Sequence, residues 1–437
     1  MARAVRYHHA AGDNARARSA ARLAIEHYRR ALQLLLGLPD SHERTQREIS
    51  LNIALGPLLL ACEGFGAPAC EKAYKRAQDL CDRIGATREL FTALWGLWLY
   101  NQGNGHFDHA EKIGQRLLEI ATVAHDRSLL LQAHHALWAT SFVRGELLAC
   151  IAHATVGAEL YEVGQHAGMA ARYGNHDAGA CGLCFHAVAL ALHGDLVAAR
   201  AASQAAIRLT EELAHPFSQV LALCLAAISE QIAGEHAPAQ QRAEQSARLA
   251  AEHGFAQMSA WASCVSSWSM VVNGEHAPGI SGILAALNAA RATGTRMYQS
   301  YFFGVLADAY RIAGSTSEGL AAARGGLDAA RTTNERFYEA ELLRLEGELE
   351  RSNGAEPLRC AGLFERAAEI SRHQAAHLLE LRALTSLVRT REGELCAPQL
   401  RRIGELLGSL TLHDDSADAR EARLLLRGSQ RNPTAIS

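Results

Sequence analysis

The sequence predicts an all-α protein built from one helical hairpin repeated many times. Three observations carry this. Glycines recur at a fixed interval: Gly194, Gly234, Gly274, Gly314 and Gly354 are each 40 residues apart, as are Gly105 and Gly145. A second series, Ala214, Gly254, Gly294 and Asn334, has the same interval and falls halfway between members of the first. Between these points the apolar residues follow a helical period, and the alternation typical of strands is absent. Each 40-residue unit is thus two segments of about 20 residues, most of them closed by a residue suited to ending a helix.

The elements follow in order. Ala15 to Leu36 reads as one long helix ended by Gly37-Leu38-Pro39-Asp40. Ser41 or His42 opens a second helix that runs to about Cys62. Further helices are expected at Ala69–Ile84, Thr87–Gln102, His106–His125 and Arg127–Arg144. In the regular region Leu209, Leu213 and Leu249 sit among alanines on one face, with Arg208, Glu211 and Glu212 on the other. Pro216, Pro238 and Pro278 fall at helix starts, where a missing N–H costs nothing. Shorter helices are expected at Leu363–His373, His377–Arg391 and Ala397–Leu410. The reading is one continuous array over 1–427, best defined in 195–234, 235–274, 275–314 and 315–354, with 428–437 as a flexible tail.

Small residues say which hairpin this is. Cys150, Ala199, Ala239, Gly279 and Gly319 stand five places after the repeat glycine, and Gly157, Ala206, Ser246, Ala286 and Gly326 stand twelve after it. Small side chains seven apart let a partner helix approach closely. The pattern resembles the tetratricopeptide (TPR) signature, although the 40-residue period exceeds the usual 34. The expected fold is a TPR-like α-solenoid, a right-handed superhelix of helical hairpins. In such an array contacts are nearest-neighbour, so a bulky residue at Ala206 or Ala286 is expected to disturb its own unit and those flanking it.

Composition excludes several functions. The 437 residues carry a net charge of −3, 49% hydrophobic and 20% charged side chains, enough to bury a core and with no block of charge for nucleic acid or an anionic membrane. Only Lys72, Lys75 and Lys112 are lysines. The other basic residues are arginines, a usage that looks like the codon bias of a high-GC bacterium. No Gly-Lys-Ser/Thr occurs, so no phosphate-binding P-loop is present. The ten cysteines are scattered through apolar helical context, which suits a reducing cytoplasm. The N-terminal residues lack the apolar core of a secretory signal, and no run of 18 apolar residues offers a membrane span.

Four phrases resemble one group of bacterial signalling proteins. They are Arg336 to Leu349, Arg18 to Leu35, Gly174-Asn175-His176-Asp177-Ala178-Gly179 with its following helix, and His215-Pro216-Phe217-Ser218. Over about residues 7–353 the chain resembles the C-terminal TPR-like region of multidomain class III adenylate/guanylate cyclases fused to an AAA/STAND-type ATPase. In that family the cyclase and the P-loop ATPase precede the solenoid, and their active residues map onto nothing here. The resemblance implies a non-catalytic interaction or regulatory module with a protein or peptide partner, one candidate being a cyclase/ATPase signalling domain. The alternative is a sensor holding a small effector in the superhelical groove. The start of the chain at the solenoid leads to the expectation of a split or separately encoded part of such a protein.

Candidate binding residues are few. The repeat step from Gly145 to Gly194 is nine residues longer than the others, and the Gly174–Gly179 loop lies in that unit. Arg172, Tyr173, His176 and Asp177 there offer a cation, a phenol, an imidazole and a carboxylate for recognition, with Asp177 also suited to capping the next helix. Trp95, Trp98, Trp138, Trp261, Trp268, Tyr298 and Tyr301 fall on first helices of hairpins. They serve either a peptide groove or the packing between layers. Cys181 and Cys184 form the sole Cys-x-x-Cys, with His176 and His186 nearby, and read as packing residues rather than a metal or redox site. No catalytic constellation, metal or cofactor is expected.

Overall fold

Both punctuation series adopt the backbone conformation that ends a helix. Gly105, Gly145, Gly194, Gly234, Gly274, Gly314 and Gly354 all have φ between 73° and 96°. The halfway positions Ala214, Gly254, Gly294 and Asn334 are also left-handed, at 48°, 73°, 76° and 63°. A side chain with a Cβ is strained in this conformation, which is why glycine fills the first series and half of the second.

The computed structural model describes residues 1–18, 20–63, 67–170, 172–391, 396–411 and 416–430. Among these there are 22 α-helices and no strand. In chain order they are α1 Ala2–Ala17, α2 Ala21–Leu35, α3 His42–Glu63, α4 Pro68–Ile84, α5 Thr87–Gly103, α6 Phe107–Ala124, α7 Arg127–Val143, α8 Leu147–Leu160, the short α9 Val163–His166, α10 Ala178–His193 and α11 Leu196–Leu213. The series continues with α12 Pro216–Ile232, α13 His236–His253, α14 Ala256–Val272, α15 His276–Ala292, α16 Gln299–Ile312, α17 Thr316–Thr333, α18 Glu339–Ser352, α19 Pro357–His373, α20 His377–Thr390, α21 Ala397–Ser409 and α22 Ala417–Gln430.

The start differs from expectation. The chain is already helical from Ala2, and the long helix expected from Ala15 is interrupted before α2. The first helix is held by the second: the Tyr28 hydroxyl donates to Asp13 at 2.7 Å, and His8 and His27 meet at 3.0 Å between their Nδ1 atoms. Helix α19 begins six residues before the expected Leu363, at Pro357. Of the expected tail, 428–430 close α22 and 431–437 lie outside the described residues.

The described residues group into two compact units. One comprises Met1–Thr140, Leu160–Ala178 and Arg291–Met297, the other Ser141–Glu159, Gly179–Ala290 and Tyr298–Ser437. In the first, Trp95 and Trp98 meet with ring centroids 4.9 Å apart and planes tilted by 57°, and they donate their ring N–H groups to the Gln132 carbonyl and the Thr140 hydroxyl. In the second, consecutive helices pack antiparallel, and alternate ones also touch: α12 with α14, α14 with α16, α16 with α18, α18 with α20, and α20 with α22. These six helices form a continuous layer. Packed on both sides, α12 loses the one-sided pattern, and every residue from Val220 to Ile232 is buried.

The small positions are close approaches, as expected. A Cβ added at Gly279 would stand 2.6 Å from the Ser267 carbonyl, and one at Gly326 would stand 2.6 Å from Leu342. The nearest-neighbour expectation needs correcting. The Arg296 N–H donates to the Gly103 carbonyl at 2.7 Å within the first unit. Forty residues on at both ends, the Arg336 N–H donates to the Val143 carbonyl at 2.7 Å within the second. His193 follows with the Ala375 carbonyl at 2.8 Å, and Gly194 accepts from Thr411 N–H at 3.1 Å. Turns of early hairpins therefore dock on loops far along the chain, through backbone groups that otherwise end a helix unpaired.

Candidate functional site

The helix layer of the second unit lines a cavity of about 370 Å³. Its walls are charged and aromatic. Asp308 and Arg311 come from α16, Glu341, Arg344, Glu348 and Arg351 from α18, Arg382, Ser386 and Arg389 from α20, and Asp418 and Glu421 from α22. Trp268, Tyr338 and His236 supply the rings. Five arginines face five carboxylates, so the cavity carries no net charge from these groups.

Repetition builds this wall. Trp268, Asp308 and Glu348 are 40 residues apart, and Arg311 and Arg351 follow the two carboxylates by one helical turn. Trp268 Nε1 donates to Asp308 at 2.9 Å, across one hairpin. Arg311 closes on the other oxygen of Asp308 at 2.8 Å. Glu348 accepts the Ser386 hydroxyl at 2.6 Å, Arg351 at 2.9 Å, and Arg389. Arg389 reaches on to Glu421, so α18, α20 and α22 are linked by one chain of charge. Arg344 grips Glu341 with two hydrogen bonds of 2.7 and 2.8 Å, and Arg382 grips Asp418 with two of 2.8 and 2.9 Å. Arg382 also donates to the Ile232 carbonyl at 2.8 Å.

The electrostatics follow from burial against pairing. Burial pushes the Glu348 carboxyl up, but the Ser386 hydroxyl and the Arg344 and Arg389 charges win and hold it at about 2. Asp308 and Asp418 are likewise raised by burial and pulled below the usual range, by Arg311 with the Trp268 N–H and by Arg382 respectively. Burial drives the Tyr338 hydroxyl far above its ordinary value. Glu341 and Asp308 add to that while Arg382 and Arg344 oppose it, so four charges surround this phenol. Glu348, Asp308 and Asp418 are therefore ionised and Tyr338 is protonated near neutral pH.

Of the residues singled out in the sequence, Trp268 lines this cavity, while Arg172, Tyr173, His176, Asp177, Trp95, Trp98, Trp138, Trp261 and Tyr298 do not. Trp95, Trp98 and Trp138 are at most 2% exposed in the core of the first unit, where Trp138 stacks on His135 at 4.9 Å. Trp261 and Tyr298 are packed edge to face at 4.7 Å in the core of the second, again at most 2% exposed. Their burial places all five between helices rather than on an open face. Around the oversized loop, Tyr173 is buried against Trp95 and Phe91, and Asp177 is buried just before α10 and accepts the Tyr161 hydroxyl at 2.8 Å. His176 bonds the Gly174 carbonyl at 2.8 Å and meets His135 Nε2 at 3.0 Å. Burial, with His176 adding to it, holds His135 neutral well below the usual histidine range. Arg172 is exposed. Cys181 and Cys184 are buried in α10, and none of the ten cysteines forms a disulfide.

The charged cavity residues were missed because each looks like a solvated charge on a helix. One signal was available: Asp308-x-x-Arg311 and Glu348-x-x-Arg351 recur at the repeat interval, and α16 carries no other charge.

Relatives and structural neighbours agree with this architecture. No protein-family model matches the chain. An uncharacterized protein of Rhizobium meliloti (strain 1021) is 28% identical over 218 residues, 48% of this chain and 20% of that protein. The match thus spans about a fifth of the relative's length. Among solved structures, a Rap protein complexed with competence and sporulation factor superposes with a TM-score of 0.58 at 12% identity, over 86% of this chain and 99% of that one. The fold is a TPR-like α-solenoid. A STAND protein with a tetratricopeptide repeat sensor from Pyrococcus horikoshii aligns at a TM-score of 0.45 and 11% identity, over 89% of this chain and 54% of that one. Among the described residues no helix is long and apolar enough to cross a membrane.

Proposed function

We propose that this chain is a non-catalytic interaction and regulatory module that takes a segment of a protein or peptide partner into the cavity of its second unit. The observation that carries the reading is the cavity itself. Every alternate helix from α12 to α22 contributes to it, and its charges are held in fixed pairs around Trp268 and Tyr338. Such a surface offers aromatic contact and oriented donors. The four phrases shared with cyclase–ATPase signalling proteins support a partner of that kind, and the apolar setting of the cysteines supports a cytoplasmic location. In this reading Arg172, the exposed member of the loop set, makes a second contact, positioned by Tyr173, His176 and Asp177.

A second reading, a small-molecule sensor, is favoured by the volume. About 370 Å³ falls within the range of small-ligand pockets, roughly 300–1,000 Å³. Selection of a displayed random-peptide library on the immobilised full chain separates the two. Enriched peptides that compete with one another and lose binding to Trp268→Ala support the first. No enrichment, together with a metabolite retained in native mass spectrometry, replaces it with the second. Neither reading allows ATP hydrolysis or cyclic-nucleotide synthesis by the purified chain.

A further inference from the structure

We infer that the cavity of the second unit recognises a carboxylate group on its peptide ligand, through Arg344, Arg382 and Tyr338. This rests on the peptide-binding reading above and adds the chemistry of the ligand.

A count of donors against acceptors carries the inference. Four of the five wall carboxylates are used in full, and the fifth, Glu421, accepts Arg389 through one oxygen. Asp308, Glu341, Glu348 and Asp418 each have both carboxylate oxygens hydrogen-bonded within the protein. The donors are not used in full. Arg344 and Arg382 are gripped by their Nε and Nη2 atoms, which leaves each Nη1 without a hydrogen bond among the described residues. The carboxylate nearest Arg344 Nη1 is Glu348, at 3.9 Å. Tyr338 is 3% exposed, lines the cavity, and its hydroxyl has no partner among the described residues. A phenol lining a cavity without a protein acceptor can donate to a ligand or water there. A surplus of oriented donors calls for an occupant rich in acceptors, and an arginine clamped along one edge presents the other in a fixed geometry for an oxyanion. Charge parity selects between oxyanions. A carboxylate adds one negative charge beside five carboxylates already balanced, whereas a phosphate monoester adds nearly two.

The test is calorimetric titration of the full chain with three pools of acetylated hexapeptides. The first has free C-termini. The second is amidated and lacks Asp and Glu. The third is the second with one phosphoserine. The first pool is expected to bind at least about tenfold more tightly than the second. Tyr338→Phe should weaken the first pool by about tenfold with no fall in thermal midpoint, because the hydroxyl has no internal partner to lose. Arg344→Lys, which keeps the charge but loses the forked geometry, should weaken it further. Equal binding of the first two pools would overturn the carboxylate while leaving a peptide site. Unchanged affinity in both variants would overturn the location, and tightest binding of the third pool would replace carboxylate with phosphate. Binding of none would remove the peptide reading and this inference with it.

Discussion

The Arg336 N–H donates to the Val143 carbonyl at 2.7 Å, joining the loop before α18 to the end of α7. Gly145 lies against the same junction. A Cβ there would stand 2.5 Å from Gln374 Nε2 and 3.3 Å from the Arg336 carbonyl carbon. Gln374 in turn donates to the Arg336 carbonyl at 2.9 Å. Gly234 has the same φ of 76° and nothing within 4 Å of its added Cβ. Gly145→Ala and Gly234→Ala thus share the cost of a left-handed alanine, about 1–2 kcal/mol, and differ in the collision. Gly145→Ala should be the more destabilising by about 1 kcal/mol or more in chemical denaturation. Its hydrogen exchange should rise at 141–146 and also at 334–338. A rise confined to 141–146 would mean that the docking does not couple the two segments.

Small positions in the hairpin should respond in opposite senses. Gly279→Ala forces a Cβ to 2.6 Å from a backbone carbonyl and should cost about 1–3 kcal/mol. Gly362, inside α19, has nothing within 4 Å of its added Cβ. Gly362→Ala should stabilise by about 0.5–1 kcal/mol through helix propensity. Thermal unfolding of both variants checks the pair.

Glu335 makes stability fall as pH rises toward neutrality. Its buried carboxylate accepts the N–H groups of Tyr298 at 2.6 Å and Ser300 at 2.8 Å, and the Ser300 hydroxyl. Burial outweighs these bonds and raises its pKa from 4.5 to about 7. A group raised on folding stabilises fully below its unfolded pKa, and that contribution is lost as pH climbs through the folded one. Denaturation between pH 4.5 and 7 should therefore show a decline, on the order of 3 kcal/mol from this group. Glu335→Gln should flatten it. An unchanged pH slope in that variant would show that Glu335 does not titrate in this window.

Glu348 acts in the opposite direction at acid pH. Its pKa is held at about 2, below the unfolded 4.5, so its contribution is present above 4.5 and is lost as pH falls toward 2. Glu348→Gln should destabilise by about 3 kcal/mol at pH 7, because Arg389, Arg351 and Ser386 lose a buried partner. The variant should also lose less stability between pH 4.5 and 3 than the parent. Denaturant midpoints across that range decide it.

What the sequence by itself determined is local. Helix ends, the hairpin period and the small contact positions are encoded by residues within 40 of one another, through backbone preference and side-chain size. That made the glycine series, the close approach at Gly279 and most helix boundaries legible. The start was not: α1 lies before the first repeat punctuation, and its packing against Tyr28 and His27 of α2 is seen only in the tertiary structure. The candidate site was not legible either. Trp261 and Tyr298 have the residue types of a ligand groove, but the layer they belong to buries them. Arg344 and Arg382 have the types of a solvated face, but alternate helices bring them around Tyr338. Only the tertiary structure decided these placements, and it alone decided that Gly103 meets Arg296 and Val143 meets Arg336. The physical reason is accumulation. Each hairpin sets its neighbour's position by a small rotation, and which distant groups meet depends on the sum of many such rotations, which no single repeat encodes.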